Sequence, residues 1–426
     1  MSRIILTTLG SLGDLHPLIA IGLKLREHGH FVVFSTCASF HSRIEALGFE
    51  FQALRPDVAP ENPAMTSAVK EIMDPKKGAD RLLRGLVFPQ LRATYDDLLK
   101  AVTGNGGADL LVSGELVYPA PLVAEKTGVR WASCVTAPMS FFSAFDPPVL
   151  PPFPRCSLFL RGAGLKANQG AIKLVKYVTR NWSQPVRELR AELGLPPGRD
   201  PIYEGKHSPH LVLALFSAVL AKAQPDWPAN TVITGFPFYD GAADGTSLPP
   251  GLANFLSTGE PPIVFTLGSA AVIDPGEFYR ESAEAARLLN RRAVLLVGQN
   301  APPPSLPENV VAFGYVPFSG IFARATAVAH QGGVGTTGQA LRAGCPMLVM
   351  PYGFDQADNA ARLTRLGVGR AISRGAYTAS RVAREFNVLL GNEKYRRAAA
   401  QLSETVRREQ GADRACNALE KLLLKF

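Results

Sequence analysis

The sequence predicts an α/β protein made of two doubly wound, Rossmann-like domains that face each other across a cleft. A strand–turn–helix–strand pattern begins at residues 4–8 and begins again at residues 263–267. Between the two, residues 235–262 are rich in Gly, Pro, Asp and Ser, which is typical of a linker. Because ligands of doubly wound sheets bind at the carboxyl ends of the strands, we expect the functional site to lie in the cleft.

Length and composition agree with this division. The chain has 426 residues, of which 46% are hydrophobic and 19% charged, as in globular proteins of two or three domains. We assign residues 1–234 to an N-terminal domain, 235–262 to the linker, 263–405 to a C-terminal domain and 406–426 to a final helix. No apolar run reaches the roughly 18 residues that span a membrane, and residues 1–8 are interpreted as the first strand, not a leader.

The cysteines argue against a disulfide framework. Five of them are scattered along the chain with no CxxC spacing: Cys37, Cys134, Cys156, Cys345 and Cys416. An odd number without ligand spacing favours a reducing, cytoplasmic environment and argues against a structural zinc site.

The chain is basic. Its 45 Lys and Arg exceed its 36 Asp and Glu by nine, and the pI is about 9.4. Such an excess attracts nucleotides, acidic lipids or nucleic acid, but the sequence has no block of like charges and no nucleic-acid-binding motif, so we expect no nucleic-acid partner. The densest basic segment, residues 161–190, follows a helical pattern. A solvated helix face is the favoured interpretation, and a peripheral membrane contact is the alternative.

The first domain opens with a βαβ pattern. Strand 4–8 is followed by the turn Gly10-Ser11-Leu12-Gly13-Asp14, a helix that Pro17 begins at its first position, and strand 31–36. The G-x-G-x-x-G fingerprint is absent, and no acidic residue follows the second strand, so NAD is not expected here.

The rest of this domain holds fewer signals. Further strands are predicted at 110–113, 130–135 and 211–216. Residues 141–160 contain five prolines and five phenylalanines, and prolines at this density exclude a regular helix across the segment. Such a segment either packs internally or lines an apolar pocket, which Phe141 and Phe142 would then face.

The second domain repeats the alternation of strands and helices. Its later strands are predicted at 293–297, 310–313, 327–329 and 347–350. Residues 385–426 are mostly helical, with a break at Gly391-Asn392.

Residues 325–360 carry the strongest functional signal. A buried strand ends at His330, a glycine-rich turn follows, and a helix then runs to Gly344. The turn and first helical residues are Gly332, Gly333, Val334, Gly335, Thr336 and Thr337, where either threonine could cap the helix. Exposed amides and the positive end of a helix form an anion site. Asp355 and Gln356 reach the same rim after the next strand, so the stretch suits a sugar joined to a diphosphate. The alternative is that the glycines only permit tight packing.

These motifs resemble those of a known family. Residues 330–337, Pro351 and Asp355-Gln356, together with the segments 226–228, 234–237 and 10–14, resemble the family 1 nucleotide-sugar glycosyltransferases with the GT-B fold. The likeness is to the bacterial branch that includes rhamnolipid rhamnosyltransferases, sterol glucosyltransferases and antibiotic glycosyltransferases. It spans nearly the whole chain and is weakest at residues 56–104 and 141–195.

The resemblance implies a donor site in the C-terminal domain. His330 and Ser269 would donate to the phosphates, Tyr315 and Val316 would hold the nucleobase, and Asp355 and Gln356 would bind sugar hydroxyls. Gly13 would lie against the donor from the opposite domain, on which the final helix would pack. No Asp-x-Asp pair is present to hold a metal ion, Asp355 with Asp358 being only a weak candidate, so we expect no metal and no cofactor besides the nucleotide-sugar co-substrate.

The resemblance also implies an inverting transfer of a glucose- or rhamnose-like hexose from a UDP- or dTDP-sugar to a hydroxyl of an apolar natural product, sterol or lipid. Asp14 stands where many members have the catalytic histidine and is the expected base. His16 is the second candidate, and a purely capping role for Asp14 is the third interpretation. The acceptor pocket would include Phe141, Phe142 and Glu115. Glu115 could orient the base or contact the acceptor, although a solvated loop carboxylate is favoured.

Two other functions remain open at this stage. A nucleotide-sugar epimerase or hydrolase of the same fold would turn over donor without acceptor. A non-catalytic nucleotide-sugar-binding protein would bind donor without turnover. The sequence leaves the oligomeric state unknown.

Overall fold

The computed structural model describes residues 1–241 and 248–424 and consists of two lobes, each built on a parallel sheet. The N-terminal sheet has the order β3-β2-β1-β4-β5-β6-β7 and comprises β1 (Arg3–Thr8), β2 (Phe31–Thr36), β3 (Glu50–Ala53), β4 (Leu110–Ser113), β5 (Arg130–Val135), β6 (Leu211–Ala214) and β7 (Thr231–Ile233). The C-terminal sheet has the order β10-β9-β8-β11-β12-β13 and comprises β8 (Ile263–Thr266), β9 (Ala293–Leu296), β10 (Val310–Phe313), β11 (Ala327–His330), β12 (Met347–Val349) and β13 (Gly369–Ala371). The predicted fold class is confirmed.

Helices cover both faces of each sheet. In the first lobe they are α1 (Leu12–Glu27), α2 (His41–Ala46), α3 (Thr66–Ile72), α4 (Gly78–Leu82), α5 (Leu91–Thr103), α6 (Ala120–Thr127), α7 (Pro154–Arg161), α8 (Leu165–Thr179) and α9 (Gln184–Glu192). After the linker helix α10 (Pro250–Ser257) come α11 (Gly268–Ala271), α12 (Phe278–Leu288), α13 (Phe318–Phe322), α14 (Val334–Ala343), α15 (Gln356–Arg365), α16 (Ala379–Gly391), α17 (Glu393–Arg408) and α18 (Gly411–Leu424). No helix among these is long and apolar enough to cross a bilayer.

The strand order explains where a site can form. In the first sheet the order reverses between β1 and β4, which pair in parallel with Leu6 opposite Val112. In the second sheet it reverses between β8 and β11, with Phe265 opposite Ala329. Loops leave in opposite directions at such a switch point and open a crevice. The turns that hold Asp14, Glu115, Ser269 and Gly332 all follow these four strands.

The core explains why the strands are short apolar runs. Leu6 and Phe34 on neighbouring strands are fully buried, and each such side chain contributes about 1.5–3 kcal/mol when it leaves water. The last helix, α18, buries Ala415, Cys416 and Leu419 in the core of the first lobe and packs on α1. The chain thus crosses back from the second lobe to the first at its end.

Several local expectations were wrong. Helix α1 begins at Leu12, five residues before Pro17, because Ser11 caps it. The expectation for the proline-rich segment is confirmed, by contrast, because α7 begins only at Pro154, the last of its five prolines, where proline is tolerated in a first turn. The strands β3, β7 and β13 were not predicted: each is short, and β3 and β7 have no fully buried residue.

The linker also differs from an irregular segment, since α10 lies within it. Residues 242–247 of the linker lie outside the part of the chain that the structure describes, as do the last two residues of the chain, 425–426. Helix α17 runs to Arg408, beyond the boundary at 405, and the predicted break is present between α16 and α17, where Asn392 caps α17.

Candidate functional site

A cavity of about 650 Å³ lies between the lobes at the carboxyl ends of both sheets. The first lobe lines it with Gly13, His16 and the apolar Leu12 and Pro17, among others. The predicted donor residues that line it from the second lobe are Ser269, Tyr315, Val316, Val334, Gly335 and Thr336. Residues that are far apart in sequence thus face one another across a single cleft.

The residue at the N-cap of α14 makes no side-chain capping bond. Gly333 holds the N-cap position, so the expected threonine cap is wrong, and α14 begins at Val334, not at Thr336. Gly332 has φ +93, and a Cβ there would lie 2.8 Å from Val349 Cγ1. Only glycine fits this turn, which leaves the first amides of α14 free to bind an anion.

His330 is a buried, neutral hydrogen-bond donor. Its Nδ1 accepts from the Gly332 amide at 3.0 Å, so the proton of the neutral ring is on Nε2. Burial lowers the pKa of His330 to about 3. Nε2 is buried and has no partner among the described residues. A buried donor without a partner is destabilising, and an oxygen of a bound ligand would satisfy it.

Asp355 and Gln356 lie at the start of α15. Asp355 Oδ2 accepts from Asn359 Nδ2 at 2.7 Å, and burial raises the pKa of Asp355 to about 7, with the charge of Asp14 adding to the shift. Gln356 Oε1 accepts from the Tyr352 amide at 2.8 Å. The carbonyl oxygen of Gln356 is therefore engaged by its own loop.

Asp14 belongs to a capping box at the start of α1. Its Oδ2 accepts from the Ser11 amide at 2.8 Å and from Ser11 Oγ at 3.2 Å. Burial raises the pKa of Asp14 to about 6, and the charge of Glu115 contributes in the same direction. Asp14 therefore does cap α1, and its raised pKa also suits a general base that acts near neutral pH. Gly13 lines the cavity, whereas Asp14 is not among its lining residues.

His16, two residues further along α1, lines the cavity. Its Nε2 is buried without a partner among the described residues, and its ring meets Tyr239 edge-on at 5.1 Å. Burial, together with the charge of Arg43, lowers the pKa of His16 to about 4, so the ring is neutral at pH 7. Pro17 lies inside the helix and does not turn His16 away from the cleft.

Glu115 is not the solvated loop carboxylate that the sequence favoured. It forms an ion pair with Lys206 at 2.9 Å and accepts from the Thr136 amide at 3.0 Å. Burial acts to raise the pKa of Glu115, but Lys206 and the hydrogen bonds outweigh it and hold the pKa below its ordinary value. Glu115 is therefore a buried anion close enough to influence Asp14.

Phe141 and Phe142 are not brought to the cleft cavity. Phe141 stacks on Trp227 with ring centroids 4.0 Å apart, and Phe142 meets Tyr203 edge-on at 4.9 Å. Both line a second cavity of about 1020 Å³, bordered by α6, α8 and α9 of the first lobe. The structure thus places both side chains at this second cavity, and their assignment to an acceptor pocket stays a prediction.

An interlobe ion network, which sequence reasoning missed, fixes α15 against the first lobe. We define it as Asp146 and Arg161 of the first lobe with Asp358, Arg362 and Arg365 of α15. Asp358 Oδ1 accepts from Arg161 at 2.7 Å, and its Oδ2 accepts from Arg362 at 2.6 Å. Arg362 in turn pairs with Asp146. Asp358 is fully buried, and both of its carboxylate oxygens are bound to arginines. This arrangement argues against the weak alternative in which Asp355 and Asp358 hold a metal ion.

The sequence offered a partial signal for this network. Asp358 and Arg362 are four residues apart, the spacing of a helical ion pair. Their partners are more than 190 residues away, so no local pattern could find them. A second missed residue is Gln339 of α14, which lines the cleft and donates to Asp240 at 2.6 Å.

Comparison with known proteins identifies the family. Residues 293–420 match the family "Erythromycin biosynthesis protein CIII-like, C-terminal domain". O-mycaminosyltylonolide 6-deoxyallosyltransferase of Streptomyces fradiae is 30% identical over 98% of this chain and 97% of its own length. The chain belongs to the family 1 glycosyltransferases. The expected resemblance to this family is confirmed.

A further relative agrees with this family, and a solved structure agrees with the fold. Glycosyltransferase GtfE of Amycolatopsis orientalis is 30% identical over 87% of this chain and 85% of its own length. The crystal structure of CalG4, the calicheamicin glycosyltransferase, has a TM-score of 0.75 at 17% identity and covers 100% of this chain and 99% of its own. The GT-B fold is thereby confirmed, and the epimerase and binding-protein alternatives are not favoured.

Proposed function

We propose that this glycosyltransferase moves a hexose from a UDP- or dTDP-sugar to a hydroxyl of an apolar small molecule, with inversion at the sugar. The observation that carries the proposal is the set of unsatisfied donors on the second lobe. Val334 and Gly335 of α14 line the cleft opposite Leu12 and Gly13 of α1, and Nε2 of His330 has no partner among the described residues. Asn359 connects the glycine-rich turn to Asp355, because it donates to the Gly332 carbonyl and to Asp355 Oδ2.

The diphosphate would bind at the amino end of α14. Amides of Val334 and Gly335, with His330 Nε2 and Ser269, offer neutral donors and a positive helix end to a leaving group whose negative charge grows during transfer. Because these groups are fixed by the fold, they need no reorganisation at the transition state. This arrangement supports a mechanism in which a metal ion is not required for leaving-group stabilisation.

The sugar and the nucleobase would lie on either side of the diphosphate. Asp355 and the amide nitrogen of Gln356 would bind sugar hydroxyls at the start of α15. Tyr315 lines the cavity and is 62% exposed, so its ring would stack on a base, and the buried Val316 lines the cavity next to it in the chain. These positions favour a pyrimidine nucleotide, either a UDP-sugar or a dTDP-sugar.

The reaction itself would be a single displacement. Asp14 removes the proton of the acceptor hydroxyl, the acceptor oxygen forms a bond to the anomeric carbon, and the bond from that carbon to the diphosphate breaks. The proton ends on the Asp14 carboxylate and the electron pair on the nucleotide. One displacement inverts the anomeric centre. His16, neutral and facing the cavity, is the alternative base.

Apolar walls support an apolar acceptor. On the first-lobe side the cavity is lined by Leu12 and Pro17, and Pro60 and Pro63 continue this surface. These side chains offer few hydrogen-bond partners, so they favour a hydrophobic ring system with a single reacting hydroxyl.

The test is product detection by mass spectrometry. Wild-type protein is incubated with UDP-glucose or dTDP-rhamnose and a panel of phenolic, sterol and lipid alcohols, beside Asp14→Asn and His16→Gln. We expect a glycoside from the wild type that Asp14→Asn does not form, although it binds nucleotide normally by calorimetry. Nucleotide release without any acceptor would contradict transfer and favour a hydrolase. Full activity of Asp14→Asn with loss in His16→Gln would reassign the base.

A further inference from the structure

The hairpin formed by α7 and α8, residues 153–180, exposes many of its large apolar side chains, while the buried residue of each helix is polar. The one buried residue of α7 is Ser157, and the one buried residue of α8 is Asn168. By contrast, Phe159 of α7 is 79% exposed and Val178 of α8 is 68% exposed. Among the described residues, seven of the fifteen exposed large apolar side chains lie in this hairpin.

The polar residues explain this inversion. Ser157 Oγ donates to the Phe153 carbonyl and accepts from the Leu150 amide, and Asn168 donates to the Ala144 carbonyl at 3.1 Å. These bonds attach the inner face of the hairpin to the loop before it. The outer face is left with Leu174, Tyr177 and Val178, which are spaced for one side of a helix. Exposed apolar surface of this extent indicates an interaction site.

Charge identifies the kind of partner. Between Asp146 and Glu188 the sequence has seven basic residues and no acidic one. Arg155, Lys166 and Lys173 are exposed and make no ion pair with any residue that the structure describes. Arg180 packs on the Tyr177 ring at 4.0 Å. A protein surface would need matching carboxylates beside an apolar patch, whereas an anionic bilayer offers negative headgroups directly above hydrocarbon.

We infer that the α7–α8 hairpin is a peripheral docking surface for an anionic lipid bilayer. Phe159, Leu174, Tyr177 and Val178 enter the interface between headgroups and acyl chains, while Arg155, Lys166 and Lys173 contact the phosphates. Aromatic side chains favour this depth of a bilayer. The inference concerns where the protein lies and does not depend on the proposed transfer reaction.

The test is flotation of the full chain with vesicles. Phosphatidylcholine vesicles are compared with vesicles that also contain phosphatidylglycerol, at low and at high salt. We expect binding to the anionic vesicles only, weakening as salt screens the basic side chains. The triple variant L174S/Y177S/V178S should bind the anionic vesicles at least about tenfold more weakly than the wild type. The variant K166E/K173E should lose the preference for anionic lipid.

A matched control removes exposed apolar side chains elsewhere. L288S/V388S changes two exposed aliphatic residues of the second lobe and should bind vesicles as the wild type does. Circular dichroism and nucleotide binding verify that each variant is folded. No vesicle binding by the wild type, or equal binding by the triple variant, would overturn the inference. A wild-type dimer that the triple variant converts to monomer, by analytical ultracentrifugation, would overturn it too and assign the surface to a second copy.

Discussion

At the scale of the residue, the ionisation of Asp14 decides the pH dependence of transfer. Since burial raises its pKa to about 6, the carboxylate is the base only above that pH. We expect the rate to fall about tenfold per unit below pH 6 and to level off above it. The pH profile of kcat under saturating acceptor checks this. A profile that is flat from pH 5 to pH 8 would contradict a role for Asp14.

The same shift predicts how Asp14→Asn affects stability. A raised pKa means that the folded state holds this proton more tightly, so ionisation destabilises the fold as the pH rises from 3.8 to about 6. Asn keeps an oxygen to accept from the Ser11 amide without the charge. We therefore expect a Tm at pH 8 equal to or above that of the wild type, together with a loss of activity of about 10²–10⁴-fold. Thermal unfolding separates this outcome from misfolding.

His330 predicts a different behaviour, because its pKa of about 3 keeps it neutral throughout the useful range. Protonation of His330 should therefore cause no change in nucleotide affinity between pH 5 and pH 8. His330→Ala should weaken nucleoside diphosphate binding by about 1–3 kcal/mol, the value of a buried hydrogen bond to a charged group. Calorimetry with UDP and dTDP measures it, with His41→Ala, an exposed histidine on α2, as control. If His330→Ala bound UDP and dTDP as tightly as His41→Ala does, the proposed contact between His330 and the phosphates would be excluded.

At the scale of the element, the turn between β11 and α14 depends on Gly332. An alanine there would place Cβ 2.8 Å from Val349 Cγ1 at φ +93, so Gly332→Ala should destabilise the fold by about 1–3 kcal/mol. Gly335→Ala is the control: a Cβ there meets nothing within 4 Å, and alanine favours helix. Chemical denaturation compares the two. Equal stability of Gly332→Ala and wild type would show that the turn relaxes.

Helix α15 should be positioned by the interlobe ion network. Asp358→Asn removes the buried anion that Arg161 and Arg362 share, and breaking such a pair costs about 3–5 kcal/mol. Because Asp355 and Gln356 begin the same helix, we expect a raised KM for the donor as well as a lower Tm. Arg365→Gln, at a half-exposed pair, should change stability by less than about 1 kcal/mol. An unchanged KM in a destabilised Asp358→Asn would limit the network to a structural role.

Elements differ in how much of them the sequence could predict. The buried strands were visible because a parallel strand covered on both faces is a short apolar run, as at β1 and β11. The edge strands β3 and β7 lack that run and were missed. The α14 turn was visible because its residues are consecutive, whereas the ion network joins segments that only the tertiary fold brings together. The helical pattern of residues 161–190 was visible too, but the exposure of Leu174, Tyr177 and Val178 on α8 depends on how the hairpin packs and could not be found from the pattern alone.

At the scale of the whole molecule, the chain ends in the lobe where it began. Helix α17 packs on α14 of the second lobe, Glu409 accepts from Ser217 Oγ at 2.6 Å, and α18 then packs on α1. The core of the first lobe is therefore completed by the last segment of the chain. Helix α1 also carries Asp14 and His16, so the two lobes and the proposed base are connected through α18.

This connection makes Leu419 a remote determinant of the proposed base. Leu419 is fully buried in the first-lobe core, and Leu419→Ala should destabilise the protein by about 2–5 kcal/mol. We expect faster amide hydrogen exchange in α1 and β6, a lower kcat, and unchanged nucleotide affinity, because the donor groups are in the other lobe. Leu389→Ala, in the second-lobe core on α16, should give the opposite exchange pattern and weaken nucleotide binding. If Leu419→Ala instead loosened both lobes equally, α18 would serve the stability of the whole chain and not the position of α1.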